Sequence, residues 1–221
     1  MKAACTDWRR IAVIAAMAAV MGSSGASAQT EQQRKWCYDV NATDPQTIEG
    51  CSALVQSGQF RGRDLAIVLY NRGLSYENTQ QYNLAMADLS QAVGLDSHYA
   101  EAFDERGNVY VKIGDNDRAI PDYTRAIALK PNYALAYSNR GYTYYKMGKF
   151  DESLADLNRA ISLNPKVGRT FVNRALTRFA KHDCQGTADD LLSAKRLNWK
   201  YTVPDQMKAQ CGSALAKVLG P

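Results

Sequence analysis

The chain has 221 residues, 22% of them charged, with 27 Lys and Arg against 22 Asp and Glu for a net charge of +5. That length accommodates one or two domains. The charge excess is mild and the basic residues do not cluster, which argues against nucleic acid or a membrane surface as the partner. In chain order, Lys2, Arg9 and Arg10 give a basic start, Ile11–Met21 is an uninterrupted apolar run, and Ala26-Ser27-Ala28 is a small-x-small cleavage site. This is the pattern of an export signal removed after Ala28. The apolar run has 11 residues, well short of the ~18 that cross a bilayer, so no membrane insertion is expected after cleavage. Cys5 precedes the run instead of lying at the cleavage point, which argues against a lipid anchor. Loss of Lys2, Arg9, Arg10 and Asp7 brings the net charge to about +3. The expected localisation is periplasmic or secreted.

Four cysteines follow the leader: Cys37, Cys51, Cys184 and Cys211. An even count in an oxidising compartment reads as two disulfides more naturally than as metal ligands. Of the three pairings, loop closure favours Cys37–Cys51 and Cys184–Cys211, each stabilising by roughly 3 kcal/mol. Residues 29–65 form an N-terminal capping segment. Within it Ile48, Cys51, Leu54 and Val55 recur at helical spacing over Pro45–Gln59, which predicts a helix tied by Cys37–Cys51 to the chain before it.

Beyond that point the sequence repeats itself. Gly73, Gly107, Gly141 and Ala175 are spaced by 34 residues, as are Ala92, Ala126, Ala160 and Ala194, and Ala85, Ala119, Ser153 and Thr187. Aligned on these rows, residues 66–201 divide into four units: 66–99, 100–133, 134–167 and 168–201. In the second, Phe103, Gly107 and Tyr110 follow a helical period. Gly114-Asp115-Asn116-Asp117 then supplies turn and capping chemistry, and Ala119, Tyr123, Ala126 and Ile127 resume the helical rhythm. The third unit copies this with Tyr137, Gly141 and Tyr144, a turn at Gly148-Lys149-Phe150, then Leu154, Leu157, Ala160 and Ile161. Pro131 and Pro165 end the second helix of their units, and Pro121 is expected at or just past the first turn of its helix. Small residues are needed where paired helices approach to ~8 Å, and Gly107 is expected to face the Ala119 region. One pair cannot bury its apolar face, so the units must stack. After Tyr201, residues 202–221 form a C-terminal capping helix in which Met207, Cys211, Leu215 and Val218 share one face, covering the last unit, with Cys184 close enough to staple it.

Residues 66–201 resemble the tetratricopeptide repeat family in the small-residue, tyrosine and proline positions Gly107, Tyr110, Ala119, Tyr123, Ala126 and Pro131. An aromatic or Leu69 stands where the family has tryptophan, Arg replaces the leucine before the glycine, and the fourth unit carries Arg178 and Trp199 where tyrosine and proline are usual. A degenerate final unit suits a capping end. Asn71-Arg72-Gly73 and Asn139-Arg140-Gly141 are similar to runs in exported bacterial repeat proteins. The resemblance implies an all-α, right-handed superhelical solenoid of about four helix-turn-helix repeats with capping helices at both ends. It also implies a concave groove lined by the first helices, with Tyr70, Leu74, Asp104, Asn108, Val111, Ser138, Tyr142, Tyr145, Val172 and Leu176 along it. Tyrosine offers large contact area with few rotors and Asn108 could bond a peptide backbone. Tyr76, Tyr110 and Tyr144 are assigned to the core. Some relatives bind C-terminal carboxylates through a clamp of lysines and asparagines; Tyr70 and Leu74 occupy two of its positions here, which favours an internal peptide segment.

A further regularity is Arg72, Arg106, Arg140 and Arg174, each 16 residues before Asp88, Asp122, Asp156 and Asp190. These are either one ion pair per unit fastening its two helices or eight separately solvated charges. Catalytic constellations are missing. His98 and His182 are read as surface residues, and His182-x-Cys184 lacks the two further ligands of a zinc site. There is no phosphate loop and no nucleophile elbow. Asn41-Ala42-Thr43 is a glycosylation sequon, relevant only in a eukaryote. The reading is a non-enzymatic, cofactor-free scaffold of the cell envelope that holds a protein or peptide partner. The competing readings are a structural or self-associating module, its groove filled by its own termini or a second copy, and an accessory subunit of a separately encoded envelope enzyme.

Overall fold

A computed structural model describes residues 24–219. The basic start and apolar run of the expected export signal lie outside the described residues. Among the described residues there are eleven α-helices and no strand. None of these helices is long and apolar enough to cross a membrane. The chain forms two compact units, divided between Ser97 and His98.

The first unit contains α1 (Ser24–Tyr38), α2 (Asp44–Gln56), α3 (Gly62–Asn78) and α4 (Tyr82–Leu95). The segment before α2 is thus itself a helix, and one that begins ahead of the expected cleavage site. Its run Glu31 to Lys35 contains only strong helix formers. Helix α2 starts in a capping box: the Thr43 hydroxyl accepts from the Gln46 amide, while the Gln46 side chain accepts from the Thr43 amide at 3.0 Å. Helices α1 and α2 approach closely because Gly50 has no side chain; a Cβ there would stand 2.8 Å from the Trp36 Cβ. Cys37 and Cys51 lie at disulfide distance, with Cα atoms 4.7 Å apart. They pack with Leu54, Phe60 and Val68 in one buried cluster. The Asn71 amide on α3 donates to the Cys37 carbonyl at 3.2 Å, satisfying a buried acceptor at the end of α1.

The second unit stacks three helix pairs, α5 (Ala100–Lys112) with α6 (Asn116–Leu129), α7 (Ala134–Lys146) with α8 (Phe150–Leu163), and α9 (Gly168–Ala180) with α10 (Cys184–Arg196). A final helix, α11 (Asp205–Leu219), lies on α10. The first helices α5, α7 and α9 also contact one another in turn, so one continuous face of the stack is made from them. Pro121 falls in the second turn of α6, just past the first, and leaves the carbonyl of exposed Asp117 without its helical donor. Tyr76 in the first unit and Tyr110 and Tyr144 in the second are half-buried, not core. Each lies beneath a guanidinium, those of Arg72, Arg118 and Arg140 respectively, at 5.0–6.0 Å.

The glycine row borders the expected Ala85, Ala119 and Ser153 row through the Ala85 and Ser153 carbonyls, but its nearest neighbours are larger side chains. A Cβ at Gly107 would sit 2.7 Å from the Tyr123 ring, one at Gly73 3.0 Å from Leu89, and one at Gly141 2.8 Å from Leu157. The bulky partners Leu89, Tyr123 and Leu157 form their own 34-residue row, while the Ala85 and Ser153 backbone carbonyls flank the glycines. A large residue fills the gap that the missing side chain leaves, giving close packing with little void.

The arginine and aspartate rows form four ion pairs. In every case the guanidinium forks onto the carboxylate with two N–H···O bonds of 2.6–3.0 Å: Arg72 to Asp88, Arg106 to Asp122, Arg140 to Asp156 and Arg174 to Asp190. In three of them a further nitrogen reaches the second helix of the preceding pair, at Ser52 Oγ (3.1 Å), Thr124 Oγ1 (2.9 Å) and Asn158 Oδ1 (2.7 Å). The same side chain therefore holds a pair together and holds that pair to the one before it. Planarity and fixed donor geometry suit arginine to both tasks at once.

The turn between paired helices also repeats. Gln80, Gly114, Gly148 and His182, again 34 apart, all have φ between 60° and 86°. Glycine adopts this left-handed conformation freely, whereas other residues pay about 1 kcal/mol or more.

Between α5 and α7 lies a buried carboxylate. Asp104 is 1% exposed and accepts from the Asn139 amide at 3.2 and 3.3 Å, with the Tyr133 hydroxyl also bonded to it. Burial pushes its carboxyl up to about 7, against the lowering effect of these donors and of Arg169.

Four outcomes are expected. Asp156→Ala, which strands a largely buried guanidinium, destabilises by about 2 kcal/mol in urea unfolding, more than an exposed pair contributes. Gly148→Ala destabilises and Gln80→Gly stabilises, each by about 1 kcal/mol in the same measurement. Because the Asp104 value is raised in the folded state, its contribution is full below the unfolded value near 4 and is lost as pH rises to about 7. The melting temperature of Asp104→Asn relative to the parent should therefore be more favourable at pH 8 than at pH 5; a constant difference would show that Asp104 does not titrate in this window.

Candidate peptide-binding site

The sequence places ten residues on the face of the first helices. Tyr70 and Leu74 stand on α3, both half-buried, in the first unit. The remaining eight belong to the second unit: Asp104, Asn108 and Val111 on α5, Ser138, Tyr142 and Tyr145 on α7, Val172 and Leu176 on α9. Three of these lie beneath the face, contrary to the sequence reading. Asp104, Ser138 and Val172 are buried, because neighbouring first helices pack closely enough to close over that register position. Ser138 meets Thr170 hydroxyl to hydroxyl at 3.1 Å, joining α7 to α9, and Val172 enters an apolar cluster with α10 and α11.

Asn108 is half-buried and committed within the protein. Its oxygen accepts from the Tyr123 hydroxyl at 2.9 Å and its amide donates to Glu105 at 3.1 Å. A primary amide has two donors and two lone pairs, so half its capacity is used before any ligand arrives. Burial drives the Tyr123 hydroxyl far above its ordinary range, leaving it a fixed neutral donor.

What the face presents is mainly aromatic. Tyr142 and Tyr145, one turn apart on α7, stack with ring centroids 6.1 Å apart and planes 28° from parallel. Phe150 at the start of α8 stands 6.2 Å from Tyr145, and the hydroxyl of Tyr201 is raised by burial and by Tyr145 beside it. Next to this patch is a polar row that sequence reasoning missed. Asn139 turns its amide to Asp104 and its oxygen to Arg169, whose guanidinium donates at 3.3 Å and is otherwise exposed. Leu135, one turn before Asn139 on α7, is 38% exposed. The available signal was helical register: the face is two residues wide, so Glu105, Asn139 and Asn173 form a 34-residue row beside Asp104, Ser138 and Val172, and Glu101, Leu135 and Arg169 form another.

The two histidines stand on the surface: His98 is exposed, and exposed His182 meets the Gln210 amide at 2.7 Å through Nδ1. Among the described residues no three His, Cys, Asp or Glu side chains stand close enough to share a metal ion.

Comparison with known proteins accords with this geometry. Residues 107–148 match the family described as TPR repeat, and residues 66–99 and 134–167 match the family described as Tetratricopeptide repeat. No curated protein matches the sequence. Among solved structures, the chain is similar to residues 41 to the end of MamA from Desulfovibrio magneticus RS-1, with TM-score 0.66 and 19% identity over 81% of this chain and 97% of that one. Another crystal structure of MamA gives TM-score 0.61 and 22% identity over 81% and 96%. The first TPR of Spaghetti (RPAP3), bound to the HSP90 peptide SRMEEVD, gives TM-score 0.53 and 23% identity over 56% and 98%. Likenesses at this identity show the fold. Tetratricopeptide repeats are protein–protein interaction modules, typically non-enzymatic. With helix pairs set 34 residues apart and repeats matched in both units, residues 66–99 and 107–167 of the chain belong to the tetratricopeptide repeat family.

Proposed function

We propose that the protein is a non-enzymatic scaffold of the periplasm or cell envelope that holds a segment of a partner polypeptide on the first-helix face of its second unit. The observation that carries this is the Tyr142–Tyr145 pair, half-exposed and stacked beside the Asn139–Arg169 row. Aromatic side chains with two rotors supply contact area at small entropic cost, and Arg169 supplies orientation. The RPAP3 domain holding a short peptide illustrates what such a fold accommodates. The export pattern at residues 1–28 supports the localisation. The interior commitments of Asp104 and Asn108 favour an internal segment over a free carboxylate, since a carboxylate already occupies the floor of this face.

A second reading has one observation in its favour. The apolar end of the face, Val172 and Leu176, is packed under the chain's own Tyr201, Val203 and α11, as a self-filled module would have it.

The test is selection of binding peptides from a display library on the cleaved chain, followed by titration against variants. Tyr142→Ala with Tyr145→Ala should weaken the selected peptides at least tenfold, as expected for central aromatic anchors. Arg159→Ala, on the exposed surface of α8, should leave affinity unchanged. Equal affinity for parent and double variant would refute the assignment of the face.

A further inference from the structure

The two cysteine pairs differ in surroundings. Cys37 and Cys51 are both sealed in the core of the first unit, 2% and 0% exposed. In the second unit Cys211 is 1% exposed, but its partner Cys184 is half-buried and is the first residue of α10, where the positive end of the helix favours a thiolate. The Cα atoms of this pair lie 5.2 Å apart, and the pair encloses 27 residues of sequence separation.

What that pair fastens is a cover. Residues 198–204 form no helix, and Asn198 takes a left-handed φ of 58°. This segment runs along α9: a side chain at Gly168 would strike Trp199, and Val203 packs with Val172. Helix α11 follows, laying Met207, Cys211 and Leu215 on Val172, Ala175, Leu191 and Ala194. It is not one rigid rod, because Cys211 leaves helical geometry (φ −119°, ψ 17°) and divides it in two. Apart from apolar packing and the cysteine pair, α11 is held by Gln210 to His182 and by Lys195 to the Val218 carbonyl, both exposed contacts. Exposed polar contacts of this kind add little.

We propose that Cys184–Cys211 is a reducible latch: closed, it keeps α11 and the preceding segment over the apolar face of the last helix pair; opened by a dithiol, it lets α11 detach and bare that face. The chemistry is thiol–disulfide exchange. A thiolate of the dithiol attacks the accessible Cys184 sulfur, the Cys184–Cys211 bond breaks, and the electron pair leaves on Cys211, which takes up a proton. The second thiol of the dithiol then attacks the mixed disulfide and releases Cys184 as thiolate. The reductant ends as a disulfide, having passed two electrons. Detachment follows because a closed bridge obliges even a displaced α11 to keep Cys211 beside Cys184, and opening it restores that freedom. The uncovered side chains, Leu176 and Phe179 with Val172, continue the aromatic patch of Tyr142 and Tyr145 past Tyr201, so the latch sets how far that face extends. The proposal stands on this packing alone and does not require the face to bind a peptide.

The test is titration of the folded, oxidised chain with dithiothreitol, trapping thiols by alkylation and following amide hydrogen exchange by mass spectrometry. Cys184 and Cys211 should become alkylated first, while Cys37 and Cys51 remain bonded. At that point residues 205–219 should exchange at least tenfold faster, with α5–α10 unchanged. The paired substitution Cys184→Ser with Cys211→Ser should show the same exchange pattern without reductant. Undiminished protection of α11 in either experiment overturns the proposal. So does simultaneous opening of both cysteine pairs, or loss of protection throughout the second unit, because α11 would then be part of one cooperative core.

Discussion

In three helix pairs one position lacks a side chain and the opposing helix places a large one there; in the last pair the small Ala175 takes that position. Gly107 against Tyr123 shows the constraint most sharply, with no room for even a methyl group. This close approach brings the arginine one residue before each glycine within reach of an aspartate on the partner helix, and the guanidinium plane can then fork onto the carboxylate. Where the approach is close and dry, such a fork has direction as well as strength. The nitrogen left over extends the link to the preceding pair, so one residue type, repeated, sets both the internal geometry of a pair and its stacking.

That economy consumes polar groups that would otherwise be displayed on the first-helix face. Asp104, Ser138 and Asn108 point toward neighbouring first helices or into their own pair, and each is hydrogen-bonded there. An unpaired polar group at these depths would cost more than its ligand contact could return. The face is left with tyrosines, whose rings can be half-covered and half-wet, and with Arg169, which reaches past Asn139 to the surface. That the face presents rings and a cation follows from how the stack is built.

The C-terminal end of the second unit solves a different problem. A stack of amphipathic pairs always leaves one apolar surface without a neighbour. Here α11 covers it, with Met207, Cys211 and Leu215 buried as thoroughly as the internal rows. The cover is nonetheless built unlike the pairs. It carries no arginine–aspartate fork to them among the described residues, it breaks at Cys211, and it is joined by an irregular segment. Its attachment rests on packing and one cysteine pair, with two exposed polar contacts beside them.

Sequence alone determined the helix pairs, because spacing of small residues at 34 is a one-dimensional record of a contact made in every repeat. It also exposed the matched arginine and aspartate rows, leaving ion pairs or separate charges as the two readings, and favoured the observed cysteine partners, since short loops close most easily. Tertiary structure decided what periodicity cannot express. That the Tyr123 ring is what lies nearest Gly107 depends on how one helix is rotated against the other. That Tyr110 and Tyr144 lie half-exposed under arginines, and Asp104, Ser138 and Val172 lie buried, depends on how closely neighbouring first helices pack. Helix α1 escaped notice because it repeats nothing and its buried contacts, Gly50 with Trp36 and Cys37 with Cys51, are made once. A repeated contact leaves a period in the sequence; a contact made once, or one set by the distance between whole helices, leaves none.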